Sequence, residues 1–169
     1  MSIDRVKRYL GQWGKAGEVR EFEVSSATVE LAALALGVDG SRIAKTISFQ
    51  GPALAGADGE DAPDLPAILI VAAGDAKIDN GKFRQRFGVK ARMLSPEDTL
   101  AVTGHAVGGV CPFAVDNPGA EIYLDVSLQR FITVFPACGS SHSCIELSCE
   151  ELYEMSRARD WVDVCKGWS

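Results

Sequence analysis

The stretch RIAKTISFQ, residues 42–50, decides how the chain is read. Ile43, Lys45, Ile47 and Phe49 share one parity; Ala44, Thr46 and Ser48 share the other. Alternate residues of an extended chain point to the same face, and the β-branched content favours a strand. Lys45 therefore stands on the apolar side, between two isoleucines. Two readings follow. The lysine stem can lie along apolar surface at a sheet edge with its ammonium in water, or the amine can face into a pocket.

Outward from this strand the chain alternates short elements. PAILIVAA (66–73) reads as a buried strand, and GPALAGADGEDAPDLP (51–66) as a long acidic connection of a hairpin. Upstream, Ile3, Val6, Tyr9, Leu10 and Trp13 recur at helical spacing until Gly14 and Gly17. VREFEV (19–24) alternates like a strand, and Thr28 caps a helix that closes at Gly37. Downstream, GDAKIDNGKFRQRFG (74–88) reads as a turn and a basic helix, and VKARML (89–94) as a strand. Ser95 and Pro96 then open a helix that stops at Gly104. EIYLD (121–125) and FITVFPA (131–137) read as strands around a helical turn, CGSSHS as a loop, and CIELS (144–148) as a strand. Ser148 and Glu151 form a capping box for a last helix, from which WVDVCKGW trails. Helices interleaved with short strands predict an α+β fold with a mixed sheet, in a single domain over residues 1–169.

Composition removes several functions. At 169 residues the chain can bury a core without disulfide staples. No apolar run reaches the ~20 residues of a membrane span, and the charged N-terminus lacks a signal-peptide core, so a cytoplasmic location and no membrane partner are expected. The net charge of −6 argues against coating long nucleic acid, DNA included, which needs a basic face. It leaves room for a protein that grips only the end of an RNA. The five cysteines form no C-x-x-C pair, so they read as free thiols rather than a zinc site.

The segment GHAVGGVCPF (104–113) carries most of the unusual chemistry. His105 and Cys111 suggest a nucleophile pair; the glycines suggest a backbone that something must approach closely. The usual catalytic templates are missing. There is no G-x-S-x-G elbow, no phosphate loop and no H-E-x-x-H, and only two histidines, His105 and His142. No strand runs into the glycines and no helix follows, so they are not a dinucleotide fingerprint.

Taken in order, IAKTI (43–47), GDAKID (74–79), KARMLSPED (90–98), TGHAVGGVCPF (103–113), IYLDVSLQRF (122–131) and VFPACGSS (134–141) resemble the YbaK family of aminoacyl-tRNA deacylases. That family includes free-standing relatives of the editing domain of prolyl-tRNA synthetases. The resemblance covers about residues 19–155. It rests on a strand lysine, K-x-x-x-LSPE and T-G-x-x-x-GG-x-x-P recurring together.

The resemblance implies a barrel-like mixed sheet flanked by helices, and hydrolysis of the ester joining a wrong amino acid to tRNA, usually tRNA for proline. It implies no metal and no cofactor. Lys45 falls on the family's required lysine, and the Gly108–Pro112 loop lies against the aminoacyl group. Lys45, Gly108 and Gly109 are thus expected to be catalytic. Thr46, Val110, Cys111, Pro112, Gly139, His142 and Cys144 are expected to bind substrate. Cys144 stands where some members carry an acidic residue. The expected partners are an aminoacyl-tRNA acceptor end and prolyl-tRNA synthetase, for a monomer or weak homodimer. Two rivals remain: a non-catalytic binding module for aminoacyl-tRNA ends or a synthetase, and a hydrolase using Cys111.

Overall fold

A computed structural model describes residues 2–52 and 66–169. Most of the long connection read at 51–66 therefore lies outside the described residues. Helix α1 spans Ser2–Leu10 and buries Val6 and Leu10 completely. A short 3-10 turn, Gly11–Trp13, extends it, and Gly14 closes that turn in the left-handed region. Strand β1 is only Arg20–Glu21, and helix α2 is Val29–Leu36, capped by the Thr28 side chain.

Strands β2 (Ile43–Gln50) and β3 (Ala67–Ala73) pair antiparallel with Ala44 opposite Ala73 and Gln50 opposite Ala67. All seven residues of β3 are buried, which makes it the spine of the core. Each large aliphatic buried in this way contributes about 1.5–3 kcal/mol. After β4 (Lys77–Ile78), Asp79 caps α3 (Asn80–Phe87), and Ser95 caps α4 (Pro96–Thr103). Then come β5 (Ala120–Asp125), β6 (Thr133–Pro136), β7 (Ser143–Cys144) and β8 (Leu147–Ser148). Helix α5 (Cys149–Ser156) starts from the expected Ser148–Glu151 capping box, and β9 (Asp160–Val162) and β10 (Cys165–Lys166) follow.

The main sheet is mixed, in the order β8-β6-β2-β3-β5-β9, and curls into a half-barrel. β3 and β5 run parallel, as do β5 and β9 and β2 and β6. Phe49, Phe83, Phe87 and Tyr123 form a chain of ring contacts that fixes α3 against the sheet.

Four sequence readings change. VREFEV shrinks to the two residues of β1, because its partner β7 is equally short; Phe22 adds one bond to the His142 carbonyl. VKARML forms no strand. It touches β2 through the bridge Phe49–Met93, with Gln50 N bonding Arg92 O and Leu94 N bonding Ser48 O. The chain must leave the sheet there so that Ser95 can cap α4. CIELS divides into β7 and β8, and the tail WVDVCKGW, read as trailing, supplies the edge strand β9 and the small β4–β10 ladder.

Candidate functional site

A cavity of about 430 Å³ opens against β2, within the usual range for small-molecule sites. Its wall takes Ser26 to Val29 from the entry to α2, Ile43 to Ser48 from β2, Met93 and Leu94, the start of α4, Val107, Gly108 and Val110, and Ser143 and Cys144 of β7.

The cavity exists because β2 changes partner along one edge. Opposite β3, it pairs with β6 only at Ile43 and Ala44. The 92–94 segment takes over only from Ser48 to Gln50. Ser48 and Gln50 bond that segment through their main chain, so the even-numbered residues of β2 direct their peptide groups to this edge. Thr46 lies in the gap. Among the described residues its main chain has no partner on that side. An open stretch of strand edge thus offers one N–H and one C=O to whatever fills the cavity. It also explains why residues of both parities border it.

Two side-chain oxygens share this condition. Thr46 Oγ1 and Ser48 Oγ are buried and have no hydrogen-bond partner. Ser48 is 5% exposed. Unpartnered buried hydroxyls are uncommon in folded proteins and call for an explanation.

Lys45 borders the same cavity. Its Nζ donates to the Gly74 carbonyl at 3.3 Å and to the Ala76 carbonyl, both in the turn after β3. Burial lowers its pKa, against the opposing pull of Cys165 and Asp75. An ammonium has three N–H donors, so two carbonyls leave one for another acceptor.

The Gly108–Pro112 loop divides at its middle. Gly108, at φ 101°, and Val110 face the cavity. Gly109 is packed behind them. A Cβ there would lie 2.6 Å from Ser140 N and 2.7 Å from the Gly139 carbonyl carbon, so only glycine lets the two loops meet. Cys111 and Pro112 are buried outside the cavity wall. Helix α1 braces the segment: Arg5 donates to the Ala114 carbonyl at 2.8 Å, Ser2 bonds His105, and Gly139 abuts Ser2 and Val6.

His105 and Cys111 do come together, with Sγ 3.4 Å from Nε2. The pairing is nonetheless structural. Nε2 lies 2.7 Å from the Phe113 carbonyl, which can only accept, so Nε2 carries the proton. Nδ1 then accepts from the Ser2 hydroxyl. Burial lowers the His105 pKa and pushes the Cys111 thiol up to about 12. A protonated Nε2 cannot take the thiol proton, and an active thiolate needs the opposite shift. His142 is exposed, holds the Ser141 hydroxyl at 2.8 Å through Nδ1, and lies outside the wall. Cys144 is inside it, its thiol also raised to about 12 by burial.

Among the described residues no histidine, aspartate or glutamate borders the cavity, and no three metal-ligating side chains converge anywhere. The wall holds hydroxyls, one lysine and main-chain groups. Such a site can bind, orient and stabilise negative charge. It offers no activated nucleophile of its own.

The profile of the aminoacyl-tRNA editing domain matches residues 23–155, the span that builds this cavity. The chain belongs to that family. Over 99% of both chains, this editing-domain protein is 56% identical to the uncharacterized protein YwhH of Bacillus subtilis (strain 168). It is similar in structure to a provisionally assigned trans-editing enzyme for prolyl-tRNA synthetase, with a TM-score of 0.81, 28% identity and 98% of each chain covered. A second solved structure, hypothetical protein APE2540, gives a TM-score of 0.74 at 26% identity, covering 94% of this chain and 99% of its own. No helix among the described residues is long and apolar enough to cross a membrane.

Of the residues singled out from the sequence, Lys45, Thr46, Gly108, Val110 and Cys144 border the editing-domain cavity, and Gly109, Cys111, Pro112, Gly139 and His142 do not. Sequence reasoning passed over Ser48, Ser26 to Val29 and Met93. Ser48 had a signal: a Thr-x-Ser pair on the second parity of a strand whose first parity was already apolar.

Proposed function

We propose that this protein hydrolyses the ester of mischarged aminoacyl-tRNA in trans, acting on tRNA for proline that carries a small wrong amino acid. The single observation that carries this reading is the cavity on the open edge of β2, with Lys45, Thr46 and Gly108 around it and, among the described residues, no histidine, aspartate or glutamate in its wall.

An aminoacyl ester is already activated, so orientation and charge stabilisation suffice. Water adds its hydroxyl to the acyl carbon, the ester C–O bond breaks, and the ribose oxygen leaves with the water's proton. The products are a free amino acid and a tRNA with a free terminal hydroxyl. The remaining N–H of Lys45 serves the developing oxyanion or the terminal phosphate, and the Thr46 main chain and the Gly108 side of the loop hold the aminoacyl group. The acidic net charge leaves room only for contact with a short acceptor end, with prolyl-tRNA synthetase as the partner that supplies tRNA selection.

The test is deacylation of tRNA for proline charged with alanine, cysteine or serine. Loss of at least one ester faster than in buffer supports the reading. Measurable tRNA binding with every ester surviving as in buffer selects the binding module instead.

A further inference from the structure

We propose that Ser48, together with Thr46, is a specificity-determining residue that reads a hydroxyl on the side chain of the amino acid to be removed, so that the preferred substrate is a small hydroxyl-bearing aminoacyl ester rather than an alanyl one. The inference rests on the editing reading above and names the substrate class of that site.

Thr46 and Ser48 lie two residues apart on β2, so their side chains leave the same face of the strand. Both border the cavity, and both hydroxyl oxygens are buried without a partner. Other buried hydroxyls among the described residues have mates: Ser26 bonds the Ser141 carbonyl, Ser127 the Ala73 amide, Ser143 the Ser140 hydroxyl and Thr103 the Thr99 carbonyl. The two buried oxygens left without a partner occur together, in the wall of one cavity.

A hydroxyl both donates and accepts. A substrate hydroxyl can therefore donate to one of the pair and accept from the other, which satisfies three groups at once. A methyl in the same place satisfies none and leaves two buried hydroxyls without partners. A thiol fits the space but is a weak donor and acceptor. Ala44, Leu94, Pro96 and Val110 supply apolar wall, and of the hydroxyls that border the cavity only those of Thr46 and Ser48 are buried without a partner. Sites built to hydrogen-bond a substrate hydroxyl discriminate strongly against the analogue that lacks it, because their own groups are then stranded.

The experiment uses the full chain and one tRNA for proline, charged in turn with serine, alanine and 2-aminobutyrate. The last replaces the serine hydroxyl by a methyl of similar size, which separates hydrogen bonding from fit. The wild type is expected to favour the seryl ester over both others by at least about tenfold in kcat/KM. Ser48→Ala is expected to lose most of that preference, its seryl kcat/KM falling more than its alanyl kcat/KM, with a melting temperature equal to or above wild type, since it removes an unpartnered hydroxyl. Deacylation with no preference for the seryl ester, or a Ser48→Ala variant that keeps the preference, overturns the inference while leaving the editing reading intact. A lowered melting temperature in Ser48→Ala also overturns it, by showing that the hydroxyl serves the fold. No deacylation of any ester overturns both.

Discussion

Gly109 and Ser140 stand back to back: a Cβ on the glycine would sit 2.6 Å from the serine amide nitrogen. This contact joins the segment read first in the sequence as a possible nucleophile pair to the loop after β6, and it holds Gly108 and Val110 at the cavity wall. Gly109→Ala should force main chain against main chain. Overpacking of this kind costs about 1–3 kcal/mol, or about 2–12 °C in Tm for a chain of this size. The loop must shift, so deacylation should fall more than stability does. A variant with unchanged Tm and activity would show that the loops can part freely.

Lys45 is tied to the Gly74 and Ala76 carbonyls and borders the cavity, so its proposed catalytic role must be separated from a structural one. Lys45→Ala strands two carbonyls and should cost roughly 1–3 kcal/mol while leaving the protein folded. Activity should disappear. The pH profile separates the two roles. The proposed role requires an ammonium, and burial lowers its pKa from the ordinary value of 10.5, so the enzymatic rate above background hydrolysis should fall on the alkaline side at a pH below 10.5. A rate that stays level to pH 10.5 would contradict a required ammonium.

Cys111 should be dispensable for chemistry. It lies outside the cavity wall, its thiol is raised to about 12 by burial, and its histidine neighbour points a proton at Phe113. Cys111→Ala should retain deacylation within a few-fold, and alkylating reagents at neutral pH should leave native activity intact. Complete inactivation that tracks alkylation of Cys111 would restore the thiol mechanism.

His105 predicts an acid sensitivity of the fold. Burial lowers its pKa below the ordinary 6.5, so the unfolded chain binds a proton that the native chain resists. Stability should therefore fall as pH drops from 6.5 toward the depressed native pKa and rise again on return. Melting curves between about pH 7 and pH 5 check this. His105→Asn should melt lower at pH 7 yet show a flatter slope. An identical slope in both proteins would assign the acid sensitivity to other groups.

Much of the fold was legible because its signals are local. The alternation in 42–50, the apolar run of β3 and the caps at Thr28, Ser95 and Ser148 each fix an element through its own residues. What failed was long-range pairing. Nothing in VKARML says that it meets β2 at one bridge, and nothing in WVDVCKGW says that it completes the sheet beside β5. The site divided along the same line. Lys45 and the glycine loop were visible as odd residues in their own segments. Ser48 showed only as half of a Thr-x-Ser pair, because a serine on a strand is ordinary until the partner strands leave a gap beside it. The His105–Cys111 pair was visible, but its proton positions depend on Ser2 and Phe113, which no spacing rule connects.

The central claim is ester hydrolysis in the cavity on β2, and one measurement tests it most directly: the lifetime of the aminoacyl bond in mischarged tRNA for proline, with wild type and Lys45→Ala side by side. Wild type should shorten the lifetime of at least one small aminoacyl ester, and folded Lys45→Ala should leave it as in buffer. If every ester survives wild type as long as it survives buffer, or if folded Lys45→Ala cleaves as well as wild type, the account is contradicted.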